Sequence, residues 1–252
     1  EQERKKEEPM NKIYVTGLGP GAEDQMTIRA RKVLERCPVI IGYTVYIDLI
    51  RDLFPGKVFI TTPMRREADR CRMAFEEAEK GQDVALVCSG DAGIYGMAGL
   101  ICEIGKEYPE TEIEIVPGLT AASAGAALLG APLMHDFAVI SLSDLLTPWE
   151  TIEKRLRAAA AADFVICLYN PSSKKRADYL NRACRIVLEY RKGNNVCGIA
   201  KNIGREGEAV QILTLDQLKD ARTDMFSTVF IGNAQTVELN GRMVTPRGYK
   251  DV

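Results

Sequence analysis

A five-residue apolar run that ends in a glycine-rich turn is the feature that most constrains how this chain can fold. The run, Val84 to Cys88, has no polar alternation, which is typical of a strand buried on both faces of a parallel sheet. Three glycines follow it, Gly90, Gly93 and Gly96, and they allow positive φ or the close approach of a ligand. Ligands of open α/β sheets lie outside the carboxyl ends of the strands, so the turn is a candidate binding site. A plain loop in which Asp91 caps the next helix fits the stretch equally well.

Strand and helix patterns alternate along the rest of the chain, as a parallel α/β sheet requires. Apolar runs predict strands, and apolar residues three and four apart predict helices. The predicted strands are 12–16, 39–41, 57–61, 84–88, 113–116, 138–142, 164–168, 196–200, 209–213 and 227–231. The predicted helices are 26–37, a short one within 43–54, one with apolar positions over 68–78 that Gly81 ends, 95–107, one that opens within 117–123 and ends at 129, 148–162, one with apolar positions over 177–188 that ends at Gly193, and a short one that begins at 214.

The sequence Gly130-Ala131-Pro132 interrupts this pattern near the middle of the chain. We place a domain boundary there, which gives an N-terminal α/β domain of residues 11–132 and a C-terminal α/β domain of residues 133–252. Residues 1–10 are mostly charged and are expected to form a disordered tail. No repeat with a period of roughly 20 to 50 residues is visible, so solenoid and propeller folds are not expected.

Composition and charge narrow the class of protein. The 252 residues are 46% hydrophobic and 27% charged, as in ordinary soluble globular proteins. The net charge of −2 gives no general attraction to nucleic acid or to an anionic membrane surface, so neither is expected as a partner. No apolar segment reaches the roughly 18 residues that span a bilayer, and residues 1–8 lack the apolar stretch of a signal peptide. We therefore expect a cytoplasmic protein.

Cysteine and histidine usage argues against a metal centre. The seven cysteines form no Cys-x-x-Cys pair and are expected to be small buried side chains in a reducing compartment. His135 is the only histidine, so neither a histidine-based metal site nor a catalytic triad is expected. The expected role of His135 is a structural hydrogen bond near the domain junction.

The loop at residues 17–21 follows a strand and precedes a helix, but its details oppose nucleotide binding. Pro20 removes a backbone N–H, and no acid stands about 20 residues further on to bind a ribose. The chain contains no Gly-Lys-Ser/Thr sequence, which excludes a P-loop. Similar loops rich in glycine, proline or asparagine end other strands, at 90–96, 117–121, 169–171 and 202–207. Together they indicate a cleft shaped by backbone rather than by a catalytic side-chain triad.

Three glycine-containing motifs occur in a fixed order along the chain. They are 15–21 (Val-Thr-Gly-Leu-Gly-Pro-Gly), 89–96 (Ser-Gly-Asp-Ala-Gly-Ile-Tyr-Gly) and 116–121 (Val-Pro-Gly-Leu-Thr-Ala). In order and spacing the chain from about 12 to 232 resembles the tetrapyrrole methylases, a family that uses S-adenosylmethionine. Ala92 departs from the pattern, because many members of the family have proline after the Gly-Asp pair.

The resemblance implies two α/β domains with S-adenosylmethionine bound in the cleft between them, a fold distinct from the ordinary Rossmann methyltransferases. It also implies a homodimer and the product S-adenosylhomocysteine. Matched residue by residue, it implies cofactor contacts from the turn after residue 88, from the start of the small-residue helix and from loops of the second half. These residues are Gly90, Asp91, Ala92, Ile94, Tyr95, Thr120, Ala121, Tyr169, Asn170, Ile203 and Gly207.

Three further segments, 42–46, 168–176 and 202–205, are most similar to members that methylate precorrins in cobalamin biosynthesis. This similarity implies methylation at C-17, with ring contraction, of precorrin-3B or its cobalt form. Such a substrate carries many carboxylates, so local basic residues must meet it. The residues expected to face the substrate are Gly17, Gly19, Pro20, Gly21, Arg65 and Arg66, with the basic run Lys174, Lys175 and Arg176 as the alternative lining.

Ring contraction requires proton transfers and therefore an acid or a base. Tyr46, Asp48 and Asp91 are candidates by residue type only, so the catalytic residue is left unassigned. Two alternative functions stay open. One keeps the fold and cofactor but methylates another position, as other precorrin methylases or a diphthine synthase would. The other is a protein that binds a nucleotide or tetrapyrrole without chemistry.

Overall fold

The computed structural model describes residues 12–173 and 176–250. The expected tail at 1–10 and the basic pair Lys174 and Lys175 lie outside the described residues. The chain divides into two compact units, Glu1–Thr120 and Ala121–Val252. The division therefore follows Thr120, whereas the sequence break placed it after Pro132.

The first unit is built on a parallel sheet. Its strands are β1 (Lys12–Gly17), β2 (Val39–Tyr43), β3 (Val58–Thr62), β4 (Val84–Cys88) and β5 (Glu112–Val116). They are arranged in the order β3-β2-β4-β1-β5, and every pairing is parallel. All five residues of β4 are buried, as its unbroken apolar run predicts. Because the strands are parallel, their carboxyl ends meet at one edge of the sheet.

Helices cover both faces of this sheet. They are α1 (Ile28–Arg36), α2 (Thr44–Asp48), α3 (Glu67–Ala78) and α4 (Ala98–Ile104), with 3-10 turns at Glu23–Gln25, Arg51–Leu53 and Gly105–Glu107. Successive residues of a strand point to opposite faces, so β4 contributes Leu86 to a core with α3 and α4. Its neighbour Val87 belongs to a second core with α1 and α2. The apolar stripes predicted for these helices are the faces that cover the sheet.

The second unit contains a mixed sheet. Its elements are α5 (Ala121–Leu129), β6 (Gly130–Ala131), β7 (Phe137–Ser141), α6 (Trp149–Ala161), β8 (Val165–Tyr169), α7 (Tyr179–Leu188), β9 (Val196–Lys201), β10 (Ala209–Thr214), α8 (Leu215–Leu218), β11 (Ser227–Ile231), β12 (Val237–Leu239) and β13 (Arg242–Val244). The sheet order is β10-β9-β11-β8-β7. Only β7 and β8 pair in parallel, and the other three pairings are antiparallel. Alternating strands and helices alone would have given a parallel sheet throughout.

The helix of small residues, α5, belongs to the second unit because it packs on that unit's sheet. A Cβ at Gly125 would stand 3.0 Å from side-chain atoms of both Ile203 and Phe230. A Cβ at Gly198 of β9 would stand 2.6 Å from the Leu129 side chain. The small side chains thus allow a close helix-to-sheet approach, and this packing moves the division to the start of α5.

Two very short strands near the C-terminus were not predicted from the sequence. β12 and β13 form a hairpin through Asn240 and Gly241, which both have positive φ, and β13 pairs with β6. The hydroxyl of Thr245 donates to the carbonyl of Pro132 at 2.7 Å. His135 Nε2 lies 3.0 Å from the carbonyl oxygen of Pro246, so this histidine makes a backbone hydrogen bond. Strands of two and three residues have too little pattern to be recognised in a sequence.

Six of the seven cysteines are buried and none forms a disulfide, whereas Cys102 is exposed, against expectation. Burial raises the pKa of the Cys37 and Cys71 thiols to about 12, so these side chains stay protonated and act as small apolar groups. Within 12–173 and 176–250, no helix is long and apolar enough to cross a membrane. The same residues contain no cluster of three or more potential metal ligands.

Candidate functional site

Three loops meet at the carboxyl edge of the first unit's sheet, where β4, β1 and β5 are neighbours. Backbone hydrogen bonds join two of them: Gly19 N–H donates to the Gly90 carbonyl at 3.0 Å, and Gly90 N–H donates to the Gly19 carbonyl at 2.8 Å. Leu18 N–H also donates to the carbonyl of Cys88, the last residue of β4, at 2.9 Å. The loops after β1 and β4 are therefore fixed to each other by their main chains.

Glycine is required where these loops meet the loop after β5. A Cβ at Gly17 would lie 2.6 Å from the Gly90 carbonyl oxygen and 2.7 Å from the Gly118 nitrogen. A Cβ at Gly118 would lie only 2.1 Å from the same oxygen. Real Cβ atoms do not approach backbone so closely, so Gly17 and Gly118 exclude any side chain where they pack against the Gly90 carbonyl. We call these three residues the glycine junction.

Asp91 fastens this junction through backbone amides. Its Oδ1 accepts hydrogen bonds from the N–H groups of Gly93 at 2.8 Å and Ile94 at 3.1 Å. Its Oδ2 accepts a hydrogen bond from the Gly118 N–H at 2.9 Å. Helix α4 begins only at Ala98, and its N-cap residue Met97 makes no side-chain cap. Asp91 is therefore not the cap of the next helix; its carboxylate shapes the turn and ties it to the loop after β5.

The turn after β4 exposes two of the residues that the sequence assigned to cofactor binding. Ile94 and Tyr95 are exposed, whereas Ala92 is completely buried and its carbonyl accepts the Ala98 N–H at 3.0 Å. The predicted positive φ occurs at Gly90 (67°) but not at Gly93 or Gly96; Tyr95, with φ of 54°, has it instead. Bulky residues rarely adopt this conformation, and such strain clusters at functional sites.

The two other catalytic candidates lie on α2, directly after β2. Asp48 is exposed, with its carboxylate 3.9 Å from the Arg51 guanidinium. Tyr46 is half-buried and packs edge to face against Tyr43, with ring centroids 5.1 Å apart. Since β2 is next to β4 in the sheet, α2 and the Asp91 turn leave from the same edge.

The two arginines predicted to bind substrate differ in their ion pairing. Arg65 has positive φ (67°), and its own N–H donates to the Glu67 carboxylate at 3.2 Å. Among the described residues, no acid forms an ion pair with the exposed Arg65 guanidinium. Arg66 instead pairs with Asp69 within the first turn of α3. Of the loop at 17–21, Gly17, Gly19 and Pro20 are buried, and Gly21 is half-buried.

The second unit has its own group of predicted cofactor residues around the end of β8. The Tyr169 hydroxyl accepts a hydrogen bond from the Ala122 N–H at 2.7 Å, in the first turn of α5. Asn170 has positive φ (52°), and its side-chain amide donates to the Ser141 hydroxyl at 3.0 Å. Tyr169 thus caps α5 beside the predicted residue Ala121, and Asn170 connects the ends of β8 and β7.

The loop between β9 and β10 contains the remaining predicted residues. Asn202 (φ 51°), Gly204 (67°) and Gly207 (74°) all have positive φ, which lets the chain reverse direction into the antiparallel hairpin. The Asn202 side chain donates to the Gly207 carbonyl at 3.3 Å. Ile203 is 5% exposed and packs on α5 at Gly125.

Arg176, the described residue of the basic run, is not free for a ligand. Its guanidinium donates to the Ser143 hydroxyl at 2.7 Å and lies 3.4 Å from the Asp144 carboxylate, which also accepts the Tyr179 hydroxyl at 2.6 Å. It therefore holds together the loops after β7 and β8. Sequence reasoning did not find the contributions of Ser143, Asp144 and Tyr179, because they depend on which loops become neighbours.

Comparison with known proteins shows which family the chain belongs to. Residues 12–219 match the model of the family described as Tetrapyrrole (Corrin/Porphyrin) Methylases. The chain belongs to this family. The expectation from the three glycine motifs is thereby confirmed, and so is the α/β methylase fold. Tetrapyrrole methylases use S-adenosylmethionine, and the chain is a methyltransferase.

Individual tetrapyrrole methylases match nearly the full chain. A protein of Salmonella typhimurium named probable cobalt-factor III C(17)-methyltransferase is 47% identical over 238 residues, which are 94% of this chain and 99% of that protein. A protein of Methanocaldococcus jannaschii with the same name is 46% identical over 248 residues, covering 95% and 98% of the two chains. The crystal structure of the methyltransferase CobJ superposes with a TM-score of 0.86 at 39% identity and covers 93% of this chain and 99% of that one.

A more distant tetrapyrrole methylase shares the fold. Uroporphyrin-III C-methyltransferase from Thermus thermophilus, solved as a complex with S-adenyl homocysteine, superposes with a TM-score of 0.70 at 18% identity. The superposition covers 88% of this chain and 97% of that one.

Proposed function

We propose that this tetrapyrrole methylase transfers a methyl group from S-adenosylmethionine to C-17 of cobalt-factor III, with contraction of the macrocycle. The proposal depends chiefly on one observation: two proteins, each named probable cobalt-factor III C(17)-methyltransferase, are 46% to 47% identical to the chain over nearly their whole lengths. Those names favour the cobalt form of the substrate over metal-free precorrin-3B.

The exposed turn after β4 is the proposed cofactor contact of the first unit. The glycine junction packs the three loops together by their backbones, and the same turn carries the exposed Ile94 and Tyr95. Such a turn suits a cofactor bound through main-chain groups and apolar contact. Gly90, Asp91 and Thr120 would meet it chiefly through backbone atoms, whereas the fully buried Ala92 would support the turn from behind.

In the second unit, the proposed cofactor contacts are Ala121, Tyr169, Asn170, Ile203 and Gly207. Tyr169 and Asn170 are held by the hydrogen bonds to Ala122 and Ser141, so their side chains are fixed before any ligand binds. Prior ordering of this kind reduces the entropy that binding must overcome.

Methyl transfer from a sulfonium needs little beyond orientation from the protein. The displacement is in line and the leaving group departs without charge. Orientation of reactants can supply roughly 7 to 11 kcal/mol of the barrier reduction, so a pocket of backbone groups is sufficient for the transfer itself. Ring contraction needs proton transfer. Asp48 suits that role better than Asp91, because both Asp91 oxygens already accept backbone N–H groups.

The proposed reaction is tested with carbon-13-labelled S-adenosylmethionine. The purified protein is incubated separately with cobalt-factor III, with metal-free precorrin-3B and with a later tetramethylated intermediate, and the products are examined by NMR. We expect the label at C-17 of a ring-contracted product, formed fastest from cobalt-factor III. A label at another ring carbon would support the alternative precorrin methylase, and the absence of both binding and transfer would overturn the proposal.

Replacement of Arg65 by glutamine is expected to raise the KM for the tetrapyrrole about five- to tenfold and to weaken its salt dependence. The exposed Arg65 guanidinium has no ion-pair partner among the described residues and can meet a substrate carboxylate, and such contacts are screened by salt. Arg66→Gln is the matched control, since Arg66 is already paired with Asp69. Steady-state kinetics at two ionic strengths should show less than a twofold change in the KM for the tetrapyrrole when Arg66 is replaced by glutamine. Equal effects of the two substitutions would contradict this assignment.

We also propose that the protein is a homodimer, on the basis of the family resemblance. Light scattering at micromolar concentrations should give twice the 27.8 kDa chain mass. A monomeric mass throughout that range would refute it.

A further inference from the structure

A buried arginine on α3 connects two of the segments at the carboxyl edge of the first unit. Arg70 is only 4% exposed. Its Nε donates to the Thr62 hydroxyl at 2.7 Å, and its terminal nitrogens donate to the Pro63 carbonyl at 3.3 Å and contact the Met97 sulfur at 3.2 Å. Neither the sequence motifs nor the family resemblance singled out this residue.

The partners of Arg70 belong to the loops that carry proposed binding residues. Thr62 ends β3, and Pro63 begins the loop that leads to Arg65. Met97 ends the turn that contains Asp91 and Tyr95, and it is the N-cap residue directly before α4. β3 and β4 are not neighbours, because β2 lies between them. The guanidinium therefore spans from the end of β3, past β2, to the turn after β4.

Arg70 also acts electrostatically on the last residue of β4. Burial raises the pKa of the Cys88 thiol to about 11, and the positive charge of Arg70 opposes that rise. Within the described part of the chain, no carboxylate forms an ion pair with Arg70, so all three partners are neutral. A planar guanidinium can meet three partners in fixed directions, which a lysine ammonium cannot reproduce.

We propose that Arg70 is a positioning residue that fixes the substrate-facing loop at 63–66 relative to the cofactor-facing turn at 91–97. This inference depends on the proposed function for the identity of the two ligands. Both loops are attached to the same rigid group, so a change at Arg70 displaces both. A misplacement of about 1 Å can reduce a rate about 100-fold.

The test compares Arg70→Lys with two substitutions that each remove one partner while keeping its shape, Thr62→Val and Met97→Leu. For Arg70→Lys we expect about a tenfold rise in both the KM for cobalt-factor III and the Kd for S-adenosylhomocysteine. Thr62→Val should raise mainly the KM, and Met97→Leu should raise mainly the Kd. Each of these increases should be smaller than the increase that Arg70→Lys causes. A further variant, Arg70→Met, removes the guanidinium altogether. Adding Thr62→Val or Met97→Leu to it should have little further effect, because contacting residues are energetically coupled.

Arg191→Lys is the matched control for burial. Arg191 is also a buried arginine and donates to the carbonyls of Gly232 and Phe164, at the end of β8 opposite Tyr169. The Arg191→Lys substitution should lower the melting temperature. At temperatures well below melting, it should leave the KM for cobalt-factor III and the Kd for S-adenosylhomocysteine unchanged. If Arg70→Lys also lowers only the melting temperature, or if Thr62→Val and Met97→Leu affect KM and Kd alike, Arg70 is not a positioning residue. If the wild-type chain binds no S-adenosylhomocysteine, the proposed function itself fails first.

Discussion

Replacing Gly118 with alanine is expected to destabilise the first unit by about 3 kcal/mol or more and to abolish binding of S-adenosylhomocysteine. The added Cβ would lie 2.1 Å from the Gly90 carbonyl oxygen and 2.7 Å from the carbonyl carbon and oxygen of Gly17. Overpacking of a core costs about 1–3 kcal/mol when flexible side chains can adjust. Here the obstructing atoms are backbone atoms of two other loops, so relief requires moving the junction itself. That loss is a large part of the roughly 5–15 kcal/mol that stabilises a typical domain.

Gly99→Ala is the matched control for this substitution. Gly99 lies in α4, and a Cβ there meets no atom within 4 Å. Alanine in a helix is favoured over glycine by about 0.8–1.0 kcal/mol, so this variant should be slightly more stable and bind normally. Chemical denaturation and calorimetry measure both quantities. A Gly118→Ala protein with unchanged stability and affinity would show that the loops do not meet as described.

Asp91→Asn is expected to weaken binding of S-adenosylhomocysteine about 10- to 100-fold, although the two side chains have nearly the same shape. The carboxylate accepts N–H groups on both oxygens, whereas an amide has only one accepting end. If the asparagine oxygen keeps Gly93 and Ile94, its NH2 group faces the Gly118 N–H and that donor loses its partner. An unsatisfied buried donor costs about 1–3 kcal/mol. The turn and the loop after β5 should therefore separate.

Asp163→Asn is the control for replacing a carboxylate that accepts a hydrogen bond from a backbone N–H far away in the sequence. Asp163 Oδ1 accepts the Ala234 N–H at 2.9 Å in the second unit, at the opposite end of β8 from Tyr169. The asparagine oxygen can still accept this single N–H group, so we expect little loss of stability from this variant and no loss of affinity, measured by denaturation and calorimetry. If Asp91→Asn lowers the stability but leaves the affinity unchanged, Asp91 stabilises the fold and has no part in the ligand site.

Regular structure was largely predictable because it depends on local pattern. All ten predicted strands are present with ends shifted by at most two residues, since buried strands carry continuous apolar runs. The start of α4 was misplaced, at 95 instead of Ala98. Asp91 holds residues 91–94 in a non-helical turn, and a three-residue difference of this kind cannot be read from apolar spacing.

Residue type and loop position allowed the sequence to predict where the ligand-site loops lie, but not how their side chains pair. The glycine motifs correctly located the loops at the carboxyl edge of the first sheet, because parallel strands must end there together. The sequence could not show that Arg66 is paired with Asp69 while Arg65 is not, since both follow the same strand. It also gave no sign of Arg70, which looks like a surface residue in the charged sequence of α3.

The sequence alone thus determined the family, the α/β class and the loops in which function is concentrated, because motifs and apolar periodicity are local properties of the chain. Only the tertiary structure decided which backbone atoms those loops present to one another. Gly17, Gly90 and Gly118 lie far apart in sequence, and each could have been a flexible turn residue. Their contacts, and the two-sided acceptance by Asp91, arise from the strand order β4-β1-β5. That order is set by the packing of helices on both faces of the sheet, which depends on the whole unit at once.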